Sequence, residues 1–455
     1  MKTLNIKEVA SAVDGVIISG DSEGTINNVS TNSMEVAFGE LFFALIGDKH
    51  DAHTFIPQVI KNGCEAIVVS NEESVTKNPE VTFILVKDTL KAYQELAHYY
   101  RELICPITVG ITGSVGKTSL KEMVKTIACD NFNTVYSLHN ENNHIGVPKT
   151  IFRMEENTEV LILEMGMNHK GEIRRLTEIG RPDIAAITNV GVSHIGNFPD
   201  RDGIFDAKME ITDFFTSGNT LVVYGDDAYL SQIPEEVDYD IIRVGDSEKN
   251  DYIVSEAKYI DKSHITFLIE YDNGIERFTL PVAGLYNKTN AALAVALMSK
   301  LNISVTASAH SLQNLEISGD RLKLIEKDGF IIINDTYNAS PDSMKSGIDY
   351  LMSIDAQRRI AVLADMGELG DDAEALHRQV GEYVADSGVD ILFTVGSLAA
   401  FMAASAEKKM GSENVHVFED KESCIAALKD IVREGDGILV KGSNSMKMVN
   451  VVKAF

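Results

Sequence analysis

The apolar positions of this chain fall in short unbroken runs separated by stretches of helical period, the pattern of parallel strands buried on both faces and covered by helices. Early runs at 40–46, 66–70 and 83–86 read as strands and 89–103 as a helix, so a small α/β domain is expected over 1–104. Pro106 then breaks the pattern directly before an apolar run at 107–111. That run opens a second expected domain, 105–312. In it Leu120, Met123, Val124, Ile127 and Ala128 mark one face of a helix, and 159–164, 183–188 and 221–224 read as further buried strands. Between 252 and 282 polar and apolar residues alternate around Asp272-Asn273-Gly274, which predicts antiparallel hairpins, and an alanine-rich helix at 290–300 follows. A third domain, 313–455, alternates helices with strands at 330–334, 359–364, 391–395, 415–418 and 437–441. This is the signature of an open, doubly wound, Rossmann-like sheet, whose ligands belong beyond the carboxyl ends of its strands. The fold class is therefore α/β in three domains.

The length of 455 residues agrees with that count at about 150 residues per domain. With 41 Lys and Arg against 68 Asp and Glu the formal charge is −27, which argues against nucleic acid or an anionic membrane surface as partner and for a soluble, metabolite-handling protein. Cys64, Cys105, Cys129 and Cys424 lie far apart without metal-type spacing, so buried reduced thiols are expected. No charged-then-apolar leader opens the chain and no run of ~18 apolar residues occurs in it, so a cytoplasmic protein without membrane insertion is expected.

Chemistry enters at Gly110-Ile111-Thr112-Gly113-Ser114-Val115-Gly116-Lys117-Thr118-Ser119, which an apolar strand enters and a helix leaves. Gly113 and Gly116 let the backbone curl until successive amides face one anion. The helix N-terminus adds partial positive charge, Lys117 reaches the terminal phosphates, and Thr118 offers a hydroxyl to Mg2+. The usual pattern has glycine where this chain has Ile111; here it stands one place earlier, at Gly110. Such a cradle makes its own positive field over short range, whatever the distant surface carries.

Other polar residues stand where parallel sheets present ligands, each with an ordinary structural alternative. Glu164 ends an apolar strand, as a Mg2+ ligand or a plain strand-end carboxylate would. His194 follows a similar strand in Thr188-Asn189-Val190-Gly191-Val192-Ser193-His194, and Lys208 by itself reads as a solvated helix charge. Asn287 and Asn290 share one side of a helix start, where caps also sit. Arg321 follows Gly319-Asp320, and Asp335 opens Asp335-Thr336-Tyr337-Asn338-Ala339-Ser340-Pro341.

In this order the motifs resemble those of the Mur ligase family over essentially the whole chain. They comprise the phosphate loop, Glu164-Met165-Gly166, Thr188-Asn189 with His194, Ala207-Lys208 with Glu210, Gly284 with Asn287 and Asn290, Gly319 with Arg321, and Asp335 to Pro341. The stretches 140–148, 335–344 and 362–370 are similar to those of members that add a dipeptide, and the Asp-Asn-Pro-Arg signature of diamino-acid-adding members is absent. The resemblance implies an ATP-dependent amide ligase of peptidoglycan synthesis. It would join D-alanyl-D-alanine to a UDP-N-acetylmuramoyl-tripeptide through an acyl phosphate. It also implies that Lys117 and the amides of Gly113, Ser114, Val115, Gly116, Thr118 and Ser119 hold the phosphates of ATP. Thr118 and Glu164 would bind one Mg2+, and His194 with a carbamylated Lys208 a second. Asn287 and Asn290 would contact the adenine side, Asp335 the ribose and Arg321 the γ-phosphate. Ser33, residues 39–45, Asp51 and His53 match the family's uridine-diphosphate-binding part, Asn142 and Asn143 join the substrate set, and a monomer is expected.

The chain departs from the family in three places. Asn32-Ser33-Met34 stands where Asp-Ser-Arg is usual, removing a cationic contact to the nucleotide sugar; Tyr286 replaces a common histidine; and Asn444 stands where arginine is frequent. Two rival readings remain open: another amino-acid ligase of the same fold, adding a diamino acid, D-glutamate or a glutamyl tail, and a P-loop protein that binds nucleotide without ligating. The joint presence of Glu164, His194 and Lys208 counts against the second.

Overall fold

The computed structural model describes residues 1–76, 80–317 and 319–455. It divides into two compact units, one made of Met1–Gly110, Asn131–Met165 and Arg174–Asp183, the other of Ile111–Asp130, Gly166–Ile173 and Ile184–Phe455.

In the first unit a five-stranded sheet has the order Val16–Ser19, Thr82–Leu85, Ala66–Val69, Glu40–Phe43, Asn28–Ser30, antiparallel at its first pair and parallel thereafter. The three inner strands are the ones announced by apolar runs, and Phe42, Ile67 and Phe83 bury completely with Val59. The two edge strands are partly exposed and carry no such run. The helix Thr89–Ile104 starts where the Asp88 carboxylate accepts the Leu90 and Lys91 amides at 2.8 and 3.0 Å. It ends at Cys105, whose left-handed φ of 55° closes it. In the same unit Val160–Glu164 pairs in parallel with Thr134–Tyr136.

In the second unit Ile184–Ile187, Thr220–Tyr224, Asp240–Gly245 and Tyr252–Tyr259 succeed one another in parallel, and Ile265–Tyr271 and Gly274–Leu280 continue antiparallel. The hairpins expected over 252–282 are present, but Tyr252–Tyr259 is parallel to its other neighbour and is the strand on which the sheet changes sense. The helix Asn287–Ser299 is buried over most of its circumference and packs on the helix Lys117–Cys129. A six-stranded sheet has the order Lys323–Lys327, Phe330–Asp335, Asp436–Lys441, Arg358–Ala364, Ile391–Val395, Val415–Phe418. Only its first pair is antiparallel. Ile332, Ile360, Val362, Phe393 and Val440 form its core.

No disulfide joins the four cysteines, as expected. Only Cys64 and Cys424 are buried; Cys105 and Cys129 are exposed because each stands at a helix end. Among the described residues no helix is long and apolar enough to cross a membrane.

Candidate functional site

The strand Ile107–Thr112 runs into the loop, and Gly113 and Gly116 take φ of 145° and 91°. A Cβ on Gly113 would meet Thr188 Oγ1 at 1.9 Å, and one on Gly116 would meet Asn290 Oδ1 at 2.9 Å. Glycine is therefore required at both positions for conformation and for space. The neighbouring strand end imposes the curl. Asn189 accepts the Ser114 amide on its carbonyl and the Val115 amide on Oδ1, both at 3.0 Å. Its Nδ2 and Thr188 Oγ1 donate to Val115 O at 2.9 and 2.6 Å. Thr188 and Asn189 are thus scaffold residues of the cradle; their motif was visible in the sequence, but only His194 drew a role from it.

Lys117 is the first residue of its helix, and its Nζ folds back to donate to Gly113 O at 2.7 Å and Ser114 O at 3.4 Å. Loop amides, helix N-terminus and ammonium together make an anion site. Arg321 Nη2 donates to Thr118 Oγ1 at 3.2 Å, its guanidinium lies 4.0 Å from the Tyr337 ring centroid, and its Nε has no hydrogen-bond partner. Stacking on Tyr337 holds the guanidinium while leaving donors for a ligand.

Several expected ligand contacts are occupied within the protein. Asp335, expected at a ribose, accepts Lys441 Nζ at 2.6 Å and the Leu322 amide at 3.4 Å. Lys441 is 2 % exposed, and its ammonium also reaches Asn338 O at 3.0 Å. Asn287 donates to Ala283 O at 2.7 Å and accepts from Asn290 at 3.3 Å. Both asparagines are buried, and Asn290 stands against Gly116. Asn444 Nδ2 donates to the Tyr337 backbone carbonyl at 3.2 Å. Burial, then the charge of Asp335, holds the Tyr286 phenol above its ordinary range and so neutral.

Lys208, on the helix Arg201–Met209, is not a solvated charge: it is 1 % exposed. Burial, then the charge of Lys117, holds its ammonium well below the usual lysine range. His194 has a left-handed φ of 65°, and its Nδ1 lies 2.5 Å from Glu368 Oε2. Glu368, part of the 362–370 stretch that the sequence marks without assigning it a role, is held below the usual carboxylate range by that histidine.

In the other unit Glu164 is 2 % exposed. Its Oε1 accepts Asn142 Nδ2 at 3.0 Å, while its Oε2 is buried without a hydrogen-bond partner. An orphaned carboxylate oxygen of this kind suits a cation. Among the described residues no group of three His, Cys, Asp or Glu side chains converges as a metal site. Asn143 Oδ1 accepts the Ile145 and Gly146 amides at 3.1 and 2.9 Å and so forms a turn. His53 Nδ1 lies 2.6 Å from Asp51 Oδ1 and its Nε2 accepts the Ser70 amide at 3.0 Å, so both ring nitrogens serve the fold. The Asp51 carboxyl is held low chiefly by the His53 amide. Ser33 O accepts Asn62 Nδ2 at 3.1 Å, and Met34 is 77 % exposed beside it.

Three family models match the chain: the Mur ligase family, catalytic domain over 25–101, the Mur ligase middle domain over 111–298, and the Mur ligase, glutamate ligase domain over 320–444. A UDP-N-acetylmuramoyl-tripeptide–D-alanyl-D-alanine ligase of Bacillus subtilis is 36 % identical, covering 98 % of this chain and 97 % of its own. The ligase of the same name from Escherichia coli is 32 % identical over 96 % of each. A crystal structure of MurF from Acinetobacter baumannii has a TM-score of 0.92 at 28 % identity, covering 100 % of this chain and 98 % of that one. MurF from Thermotoga maritima in complex with ADP has a TM-score of 0.83 at 26 % identity, covering 94 % of this chain and 96 % of its own.

Proposed function

This chain belongs to the Mur ligase family, and we propose that it is the member that ligates D-alanyl-D-alanine to a UDP-N-acetylmuramoyl-tripeptide with cleavage of ATP, a step of peptidoglycan precursor synthesis. The observation that carries the mechanism is the phosphate cradle with Arg321 on Thr118 at 3.2 Å, a second cation aimed where the terminal phosphate of ATP would lie.

A carboxylate is a poor acyl donor because oxide is a poor leaving group. The tripeptide's terminal carboxylate oxygen therefore attacks the γ-phosphorus of ATP, the bond to the β-phosphate oxygen breaks, and ADP leaves an acyl phosphate. Loop amides, Lys117 and Arg321 stabilise the charge that spreads over the phosphoryl oxygens in this step. The dipeptide amine then attacks the acyl carbon, inorganic phosphate departs from the tetrahedral intermediate, and the amine gives up a proton. Thr118 and Glu164 would offer oxygen ligands to Mg2+, and His194 and a carbamylated Lys208 would serve a second ion. Bound Mg2+ would neutralise phosphate charge and orient the phosphoryl group. Asn290 backs the cradle at Gly116, Asp335 would face the ribose, and Ser33, Asp51 and Asn142 would serve the nucleotide sugar-peptide. The segments 1–104, 105–312 and 313–455 act as three domains of a cytoplasmic monomer.

Release of ADP should require both the UDP-muramoyl-tripeptide and D-alanyl-D-alanine, and mass spectrometry should find the pentapeptide product. ADP release with a diamino acid in place of the dipeptide would assign a sister reaction. Arg321→Ala should lower kcat by about 10²-fold, the scale for one donor acting on developing charge, and change ATP affinity much less. Equal losses in affinity and rate would give Arg321 a plain binding role.

A further inference from the structure

The turn that carries His194 is met by a loop that the reaction described above does not use. After the strand Arg358–Ala364 the chain passes through Asp365-Met366-Gly367-Glu368-Leu369-Gly370, and the fold fastens the start of this loop. Asp365 Oδ1 accepts the Ala399 amide at 2.6 Å, and its carbonyl accepts the Ser443 amide and hydroxyl at 3.1 and 2.8 Å. The Met366 amide donates to His377 Nε2 at 3.0 Å, and His377 Nδ1 lies 2.6 Å from Ala373 O. A carbonyl only accepts, so Nδ1 carries the His377 proton and Nε2 holds the loop as an acceptor. Met366 and Leu369 bury their side chains at 0 and 2 % exposure, leaving Glu368 projecting with a left-handed φ of 62°.

Three contacts join Glu368 and its neighbour to the His194 turn. Glu368 O accepts the Gly196 amide at 3.2 Å. Gly370 and Gly196 meet backbone to backbone: a Cβ on Gly370 would stand 2.6 Å from Gly196 Cα, and one on Gly196 2.5 Å from Gly370 N. Glu368 Oε2 stands 2.5 Å from His194 Nδ1, off the alignment of an ideal hydrogen bond. A lone pair on Nδ1 facing the carboxylate at that distance would be repelled, so the pairing favours the tautomer with its proton on Nδ1. That tautomer presents Nε2 as the acceptor on the far side of the ring.

We propose that Glu368 is a positioning residue of the ligation reaction: seated on the His194 turn by the Gly196–Gly370 contact, it fixes the tautomer and orientation of the imidazole. A carboxylate behind a site histidine is a recurrent way to set which nitrogen faces the ligand. The pairing also ties site assembly to geometry. His194 belongs to the sheet that shapes the phosphate cradle and Glu368 to the six-stranded sheet, so the imidazole is oriented only while those two parts are apposed. The inference rests on the reading of His194 as a residue of the nucleotide-metal site.

The test compares the full-length protein with Glu368→Gln, Glu368→Asp and His194→Ala. Glu368 is about half exposed, and its removal should leave the melting temperature near that of the parent. Glu368→Gln is expected to lower kcat by about 10- to 100-fold, with the KM for ATP within about threefold, and Glu368→Asp should recover part of the loss. Two readouts are independent of turnover. Mn2+ titration of the nucleotide-bound protein, followed by electron paramagnetic resonance, should show weakened binding of a similar order. Imidazole 15N shifts should show His194 moving from the Nδ1–H form toward a tautomer mixture in Glu368→Gln. If His194→Ala impairs turnover and Mn2+ binding while Glu368→Gln leaves turnover, Mn2+ binding and tautomer as in the parent, the positioning role is wrong and the site reading stands. If His194→Ala changes neither turnover nor Mn2+ binding, the site reading fails and the proposal fails with it.

Discussion

Replacing Lys117 with alanine is expected to lower ligation by about 10²- to 10³-fold or more while leaving a folded protein, the scale for removing one preorganised charge from developing phosphoryl negative charge. The ammonium sits at the first residue of a helix and at present satisfies two carbonyls of its own loop, Gly113 and Ser114. Such hydrogen bonds contribute about 1 kcal/mol each, and the side chain is only partly buried, so a small shift in melting temperature is expected. The glycine conformations and the Asn189 and Thr188 contacts that shape the loop do not involve the lysine side chain, so the cradle keeps its curl. What would be lost, on the proposed mechanism, is the cation that follows the phosphoryl oxygens into the transition state. Steady-state kinetics beside a thermal melt decide the matter: near-parental turnover with an unchanged ATP requirement would overturn the assignment of the phosphate site.

The second large effect is expected at Lys208. A lysine 1 % exposed, whose ammonium is disfavoured by burial and by the nearby charge of Lys117, carries a free lone pair near neutral pH far more often than a surface lysine does. That lone pair can attack CO2, forming an N–C bond and releasing one proton, and the product is an oxygen-donor anion. The carbamate is attracted to Lys117 where the ammonium is repelled, and it offers the anionic oxygen that Mg2+ prefers and an ammonium lacks. Lys208→Ala should therefore lose about 10- to 100-fold or more in activity, with partial rescue by formate or acetate. Bicarbonate labelled with 13C should give a carbamate resonance in the parent that Lys208→Ala lacks. Parental activity of the variant in bicarbonate-free buffer, or no carbamate resonance in the nucleotide-bound parent, would count decisively against the modification.

What the sequence determined by itself was everything governed by near neighbours in the chain. Inner strands such as Ala66–Val69 and Phe330–Asp335 are buried on both faces and write themselves as apolar runs. The phosphate cradle is a ten-residue motif whose glycines, lysine and threonine act within one turn of each other. Strands that are half exposed, such as Asp240–Gly245 and Lys323–Lys327, have no comparable run to mark them. The side chains behind the site were decided only by the tertiary structure, because their partners lie far away in sequence. Lys441 takes the carboxylate of Asp335, Asn290 stands against Gly116, and Glu368 meets His194. Lys208 shows the difference most plainly. In the chain it is one more charge on an amphipathic helix, and only packing removes the water that would have kept it an ordinary ammonium.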